Sequence, residues 1–364
     1  MASVLLRSSK HQVTHLLGLP CRIGQMYLPI TGYATSSNHM SLIKKLRDQS
    51  GAPISDVKKA LEETDWDVEK ASQELRKKGL SAASKKASRS ATEGLVGLSS
   101  NTHAAAIVEI NSETDFVARN DLFTSVVSGA AQALLAQTKV CGKDIDVETL
   151  GNLPMEGTEN NTILGAVQEV AGNVRENIKL RRGVVIRGSL DGTEPTVGTY
   201  LHGRVGPGVG RIAAAVLLES ADGDSLDANQ SKILQDTAHN LAMHVVASSP
   251  KYLSRNCVPR GDLDKERSVL VEQARSSGKP ENIIEKMVQG RLNKFYQDVC
   301  LLEQPFVMEE KKSVADVVNG LSKTLQRDVT LTEYVRIQVG EGLEEQESKK
   351  DFAAEVSETI ASTK

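Results

Sequence analysis

The chain has 364 residues, of which 39% are hydrophobic and 25% charged, and its formal net charge is −3. These values suit a soluble globular protein of two or three domains and speak against a general nucleic-acid binder, which needs a basic stripe. The longest apolar run, residues 212–218, is seven residues long, too short to span a bilayer. Aromatic residues make up only 3%, so the cores must rest on Ala, Val, Leu and Ile. The four cysteines, Cys21, Cys141, Cys257 and Cys300, include no close pair. That pattern predicts reduced thiols in an intracellular compartment, with neither a disulfide framework nor a zinc site.

Residues 1–47 contain no Asp or Glu but carry Arg7, Lys10, Arg22, Lys44, Lys45 and Arg47. A basic, acid-free start matches an organellar transit peptide, which must form a cationic amphipathic helix for its import receptor. The plain alternative is a disordered tail. We expect residues 1–40 to be the transit peptide, with cleavage near "GYATSS" at 32–37. Its modest Ser content leans toward the mitochondrion rather than the chloroplast.

Residues 41–80 carry helical periodicity in three pieces. Leu42, Ile43 and Leu46 mark the first, and Ile54, Val57, Ala60 and Leu61 the second, after a "SGAP" break. Val68, Ala71 and Leu75 mark the third, which Asp65 or Asp67 can cap and Gly79 can stop. The pattern resembles a ubiquitin-associated-type three-helix bundle. A linker is expected at 81–100, rich in Ser, Ala and Lys at its start.

Two segments further on look alike. "AAAIVEINSE" begins at residue 104 and "AAAVLLESAD" at 213, each leading to a helix, at 116–136 and about 229–247. They predict a duplicated β-α unit and two pseudo-symmetric subdomains: 101–200, and 201–260 together with 299–345. Further strands are expected within 177–188, 196–202 and 333–342, and helices at 161–174 and 313–325. The class is α+β, with antiparallel sheets that carry helices on one side.

Residues 261–298 are charged and helical except around "SSGKP", where Gly278 ends one helix and Pro280 opens the next. Leu263, Leu270 and Ala274 form a narrow stripe on the first helix; Ile284, Met287, Arg291 and Phe295 form one on the second. Narrow stripes predict an antiparallel coiled-coil hairpin that buries a single seam. A C-terminal helical module is expected at 346–364.

No catalytic constellation emerges. There is no HExxH, no His/Cys cluster with metal spacing and no GxSxG. The glycine-rich "HGRVGPGVGR" at 202–211 lacks the Lys-Ser/Thr of a phosphate-binding loop and the GxGxxG pattern, so it is expected to be a turn between strands.

"TDFVARN" at 114–120 resembles the signature of elongation factor Ts, the translational guanine-nucleotide exchange factor family. "SGAPISDVKKAL" at 50–61 resembles its N-terminal signature. "LAMHVVASSPKYL" (241–253), "GKPENIIEKMVQGRLNKFY" (278–296), "QPFVMEEKKSV" (304–314) and "VGEG" (339–342) are similar to later segments, in the same order. The resemblance spans about residues 41–360.

It implies a partner, elongation factor Tu in its GDP-bound and nucleotide-free forms. It implies no cofactor, no direct nucleotide binding, no nucleic acid and no membrane, and no enzymatic bond-making. Asp115 and Phe116 would reach into the partner's nucleotide domain, with Phe116 as a wedge beside its Mg²⁺ site. Thr114, Val117 and Arg119 of the same signature, and Ile54 and Asp56 of the N-terminal one, would add contacts. His202 and Gly203 would line a second patch. Many bacterial relatives carry two methionines where this chain has Ile54 and Ser55; Ile54 keeps an apolar contact and Ser55 does not.

Periodicity alone points the other way for Phe116. It falls near one helical stripe with Phe123, Val127, Ala130 and Leu134, and such stripes are usually buried. Two other functions stay open: a ubiquitin-associated-type adaptor, suggested by the helical module, and an enzyme whose site leaves no motif.

Overall fold

A computed structural model describes residues 33–343 apart from 51, 87, 138–141, 156–160, 189–192, 222–225 and 277–279. Most of the expected transit segment, the centre of the hairpin loop and the 346–364 module lie outside the described residues.

Two antiparallel sheets build the core. The first contains β1 (Glu93–Ser100), β2 (Ala104–Ser112), β3 (Gly142–Ile145), β4 (Lys179–Arg187) and β6 (Val209–Gly210), in the order β3-β4-β2-β1-β6. The second contains β5 (Thr193–His202), β7 (Ile212–Ala221) and β10 (Val329–Gln338), in the order β10-β7-β5. β1 lies within the stretch expected to be a linker.

The sheets pack face to face. Ala105, Ile107, Val184 and Ile186 of the first meet Val197, Leu201, Ala213, Ala215 and Leu217 of the second. The outer faces carry helices. Ala106, Val108 and Ile110 lie under α4 (Asp121–Ala136) and α6 (Ile163–Val174); the short α5 (Val147–Gly151) adds Leu150 to that core. Ala214, Val216 and Leu218 lie under α7 (Ala228–Ser248) and α10 (Val314–Leu325). This four-layer stack explains why every residue of β2 is buried: both faces of the strand are covered. Small residues on β2 and β7 let two layers close on each strand at once.

The likeness of the two alanine-rich segments has a structural counterpart, with a shifted register. Ala106 and Val108 face helices as Ala214 and Val216 do, so equivalent positions differ by an even number rather than the odd offset of the sequence match. Each half also places a glycine where a helix crosses closely. A Cβ on Gly97 of β1 would lie 2.3 Å from the Val127 carbonyl oxygen of α4, and one on Gly198 of β5 would lie 2.1 Å from the Ala238 carbonyl carbon of α7.

The N-terminal bundle comprises α1 (Tyr33–Ser50), α2 (Ile54–Glu63) and α3 (Val68–Lys86). Ile43, Leu46, Val57, Ala60, Leu61 and Ala71 form its core, and Trp66 stacks on His39 with ring centroids 3.5 Å apart. Two expectations change here. Ile54 lies outside the core, 51% exposed. Gly79 does not stop α3, which runs on to Lys86; instead its missing Cβ allows α3 to cross α6, where it would stand 3.0 Å from Gly172 Cα.

α8 (Arg260–Arg275) and α9 (Glu281–Val299) pack along one narrow seam. Leu270 and Ala274 meet Ile284, Val288 and Leu292, which are four residues apart and so fall in one line. The expected seam through Met287 and Arg291 is therefore displaced by one position; Arg291 is exposed and donates to Gln273 Oε1 at 3.1 Å. Beyond α9, β8 (Pro305–Phe306) and β9 (Glu309–Ser313) form a small hairpin.

His244 of α7 is fully buried against that hairpin. Its Nδ1 accepts the Val307 N–H at 3.2 Å, so Nε2 carries the proton toward Gln304 Oε1 at 3.1 Å. Burial pushes its pKa below the ordinary histidine value, against the opposing Gln304 bond.

Two predictions follow from this packing. Gly198→Ala forces α7 off β5 and should cost about 3 kcal/mol, the upper part of the overpacking range, read from urea unfolding. For His244 the folded-state pKa lies below the unfolded value of about 6.5, so the unfolded chain binds more protons beneath that pH. Its stabilising contribution is complete above about pH 6.5 and is lost as the pH falls further. The urea midpoint of the wild type should therefore drop more between about pH 7.5 and 5.5 than that of His244→Gln.

Candidate functional site

Phe116 is 77% exposed, more than any other large hydrophobic residue described. The helix expected from residue 116 begins only at Asp121, because Asn120 takes an extended backbone and its side chain accepts the Leu122 N–H at 2.8 Å as an N-cap. Residues 117–119 make a single 3-10 turn ahead of it. Phe123, Val127, Ala130 and Leu134 keep the buried stripe, while Phe116 stands off it.

The turn is anchored on both sides of Phe116. Val117 and Ala118 are buried in the first sheet's helical core. Val117 is thus a fastener beneath the turn, buried at 7% exposure. On the other side Thr114 gives both its donors to Glu176, the N–H at 3.0 Å and Oγ1 at 2.7 Å. Asp115 is half-buried and pairs with the exposed Arg119 at 3.3 Å. Glu113 accepts the Asn177 N–H at 2.6 Å and pairs with Arg89 at 3.3 Å.

The partners of this turn come from the corner where α6 ends. Thr162 caps the start of α6 through Gly165 N–H. At the other end Arg175 adopts a left-handed backbone, φ +59°, and turns the chain back. Arg175 then forms an ion pair with Asp56 in the first turn of α2, Glu176 holds Thr114, and Asn177 Nδ2 donates to the Arg89 carbonyl at 2.6 Å. Two consecutive side chains, Arg175 and Glu176, therefore touch the two segments singled out in the sequence, and the next one ties down residue 89. Asp56 is engaged within the chain, whereas Ile54, two residues earlier, is exposed at the surface. A cleft of about 170 Å³ lies between α2, α3 and the end of α6, lined by Pro53, Asp56, Lys59, Lys78, Gly172 and Arg175.

His202 and Gly203 lie on a different loop. Both are exposed at the end of β5, with Gly203 at φ +63°, and the His202 carbonyl accepts the Arg211 N–H at 3.0 Å. No hydrogen bond or ion pair among the described residues joins them to the 113–119 turn. Arg175, Glu176, Asn177 and Arg89 were missed by the sequence analysis. They are polar residues between elements, and no periodicity or motif marks them. Among the described residues no group of three His, Cys, Asp or Glu is placed to hold a metal ion, and no helix is long and apolar enough to cross a membrane.

The comparisons with known proteins point to a translation elongation factor. A family model described as "Elongation factor TS" matches residues 113–341, from the braced turn to the last described turn. The chain is 45% identical over 317 residues to elongation factor Ts of Rhodospirillum rubrum, covering 87% of this chain and 96% of that one. It is 42% identical over 326 residues to the mitochondrial elongation factor Ts of Ricinus communis (86% and 83% covered) and 39% identical over 344 residues to that of Ostreococcus tauri (91% and 95%). The chain belongs to the elongation factor Ts family.

Glu176→Ala leaves the two donors of Thr114 without their carboxylate. Hydrogen bonds to a charged group contribute about 1.5–3 kcal/mol, so amide exchange at Thr114 should quicken about tenfold or more, while the amides of β2 and β4 stay protected. Unchanged exchange at the turn would show that Val117 and Ala118 hold it alone.

Proposed function

We propose that this chain is the guanine-nucleotide exchange factor for mitochondrial elongation factor Tu. It binds the GDP form of that GTPase, disturbs the site that holds Mg²⁺ and the phosphates, and releases GDP so that GTP can rebind. The observation that carries the proposal is Phe116: an aromatic ring that is 77% exposed on a turn fastened from both sides. A wedge must keep its shape while it displaces part of another protein. An aromatic side chain supplies large apolar area with few rotatable bonds, and here its backbone is already fixed before contact.

The energetics are those of coupling. A factor that binds the nucleotide-free partner more tightly than the GDP form lowers the partner's GDP affinity by the same ratio. No covalent bond is made or broken, so the process asks for no nucleophile, base or metal of its own. Asp115 and Arg119 would flank the ring with opposite charges, and Ile54 would add an apolar contact from α2. His202 and Gly203 would meet a second part of the partner.

A mitochondrial setting is supported by the acid-free start of the chain and by the mitochondrial names of several relatives. Because the highest identity reported above is to a bacterial protein, import of a reporter fused to residues 1–40 is the direct check.

The proposal is tested by loading mitochondrial elongation factor Tu with fluorescent GDP and following its release. Wild type should accelerate release. Phe116→Ala, whose exposed ring supports no core, should fold normally and lose roughly thirtyfold or more of the acceleration, as expected for truncating a hot-spot residue worth about 2 kcal/mol. A folded variant as active as wild type would remove Phe116 from the mechanism. Failure of the wild type to speed release would sink the exchange reading itself.

A further inference from the structure

Asp56 stands in the first turn of α2, two residues after the exposed Ile54, and its carboxylate pairs with Arg175 at the end of α6. Arg175 is held in the left-handed region, at φ +59° and ψ +31°. A residue with a Cβ occupies that region only where its surroundings over-determine it. Three elements meet at this one residue. Its N–H donates to the Ala171 carbonyl of α6 at 3.0 Å, its carbonyl accepts from Lys86 of α3, and its side chain reaches Asp56 of α2.

The residue that follows carries the effect onward. The Glu176 carboxylate takes the Thr114 N–H on one oxygen at 3.0 Å and the Thr114 hydroxyl on the other at 2.7 Å. Thr114 lies two residues before Phe116. A change of φ at residue 175 swings everything after it, and Glu176 has little slack, since both of its oxygens serve donors of one residue. From α2 to the exposed ring, each step from Asp56 through Arg175, Glu176 and Thr114 is therefore a bond or a short piece of backbone.

The side chains of Arg175 and Asp56 are 48% and 32% exposed, and an ion pair that open adds little to global stability. Its place at a strained residue gives it a local effect instead: it tethers the one backbone conformation that aims Glu176 at Thr114.

We propose that Asp56 and Arg175 are positioning residues for nucleotide exchange, acting through Glu176 and Thr114 to hold the Phe116 turn in the shape that enters the partner. The inference rests on the exchange function proposed above. A factor whose turn is correctly shaped only part of the time binds with its affinity reduced by that fraction. Loss of the pair therefore weakens productive binding. It leaves the rate within the bound complex unchanged, because the turn that has entered the partner is the same turn.

The test compares full-chain variants in two readouts: release of fluorescent GDP from mitochondrial elongation factor Tu, and hydrogen exchange of the Thr114 amide. Asp56→Asn removes the charge and keeps the shape. Arg175→Gly removes the tether, and glycine adopts a positive φ without strain, so its urea midpoint should stay close to that of wild type. Both variants should raise the factor concentration for half-maximal release about fivefold, as couplings through such networks do. Both should keep the maximal rate and quicken Thr114 exchange by a similar factor. Asp56→Arg combined with Arg175→Asp re-forms the pair with an aspartate in the left-handed position, which tolerates it better than most residues, and should recover most of both losses. An unchanged Thr114 amide in both single variants would overturn the proposal. So would a quickened amide with an unaltered half-maximal concentration, or a fall in maximal rate that the exchanged pair does not restore. A wild type that releases no GDP would remove the exchange reading and the positioning role with it, whereas the amide readout would still show whether the corner holds the turn.

Discussion

Helix α6 ends in a left-handed residue, and the direction of three side chains follows from that one backbone turn. A non-glycine residue at φ +59° carries a strain of the order of 1 kcal/mol or more. Glycine would relieve it, but glycine has no side chain to pair with Asp56. Arginine accepts the strain, and the chain reverses so that Glu176 and Asn177 point at Thr114 and at the carbonyl of Arg89. The N-terminal bundle, the start of β1 and the aromatic turn are thus fixed by neighbouring residues of one short connection. Moving any of them breaks a bond to that connection, charge-assisted at Asp56 and Thr114 and neutral at the Arg89 carbonyl.

That connection acts on a stiff background. Central strands buried on both faces leave no soft side to the sheets, and glycines at Gly97 and Gly198 bring helix backbones almost into contact with strand backbones. Glu109 ties the layers further. It is fully buried, accepts from Arg181 and Arg182, and also takes the Gly340 N–H at 2.8 Å, so that the turn after β10 folds onto the first sheet. Breaking a buried network of this kind is costly because each loss strands a charge. The exposed ring of Phe116 therefore stands on a mount whose distortions are expensive.

Much of this was legible in the sequence where a pattern repeats over many residues. The stripe Phe123, Val127, Ala130 and Leu134, the alanine-rich central strands and the two long helices at 260–299 all declare themselves by periodicity. Phe116 did not, because it extends the spacing of a helix that the Asn120 cap cuts short; only the family resemblance set it apart from the core stripe. Gly79 looked like a helix stop because a glycine's local meaning is an ending, whereas its role here is set by Gly172, far away in sequence. Val117 sits in the signature, and its burial depends on how the turn leans against α4 and α6. The Arg175–Asn177 corner carries no pattern at all, since its meaning is entirely in its partners.

The stacked pair His39 and Trp66 gives the molecule an optical property. Trp66 is the only tryptophan of the chain, and it belongs to the N-terminal bundle. Indole emission therefore reports that bundle alone, while far-ultraviolet circular dichroism is weighted by the sheets and their helices. Denaturation followed by both signals draws two curves on one sample. Coincident midpoints would show the bundle and the core melting as one cooperative unit through the Gly79–Gly172 crossing and the Asp56–Arg175 pair, and separated midpoints would show two units.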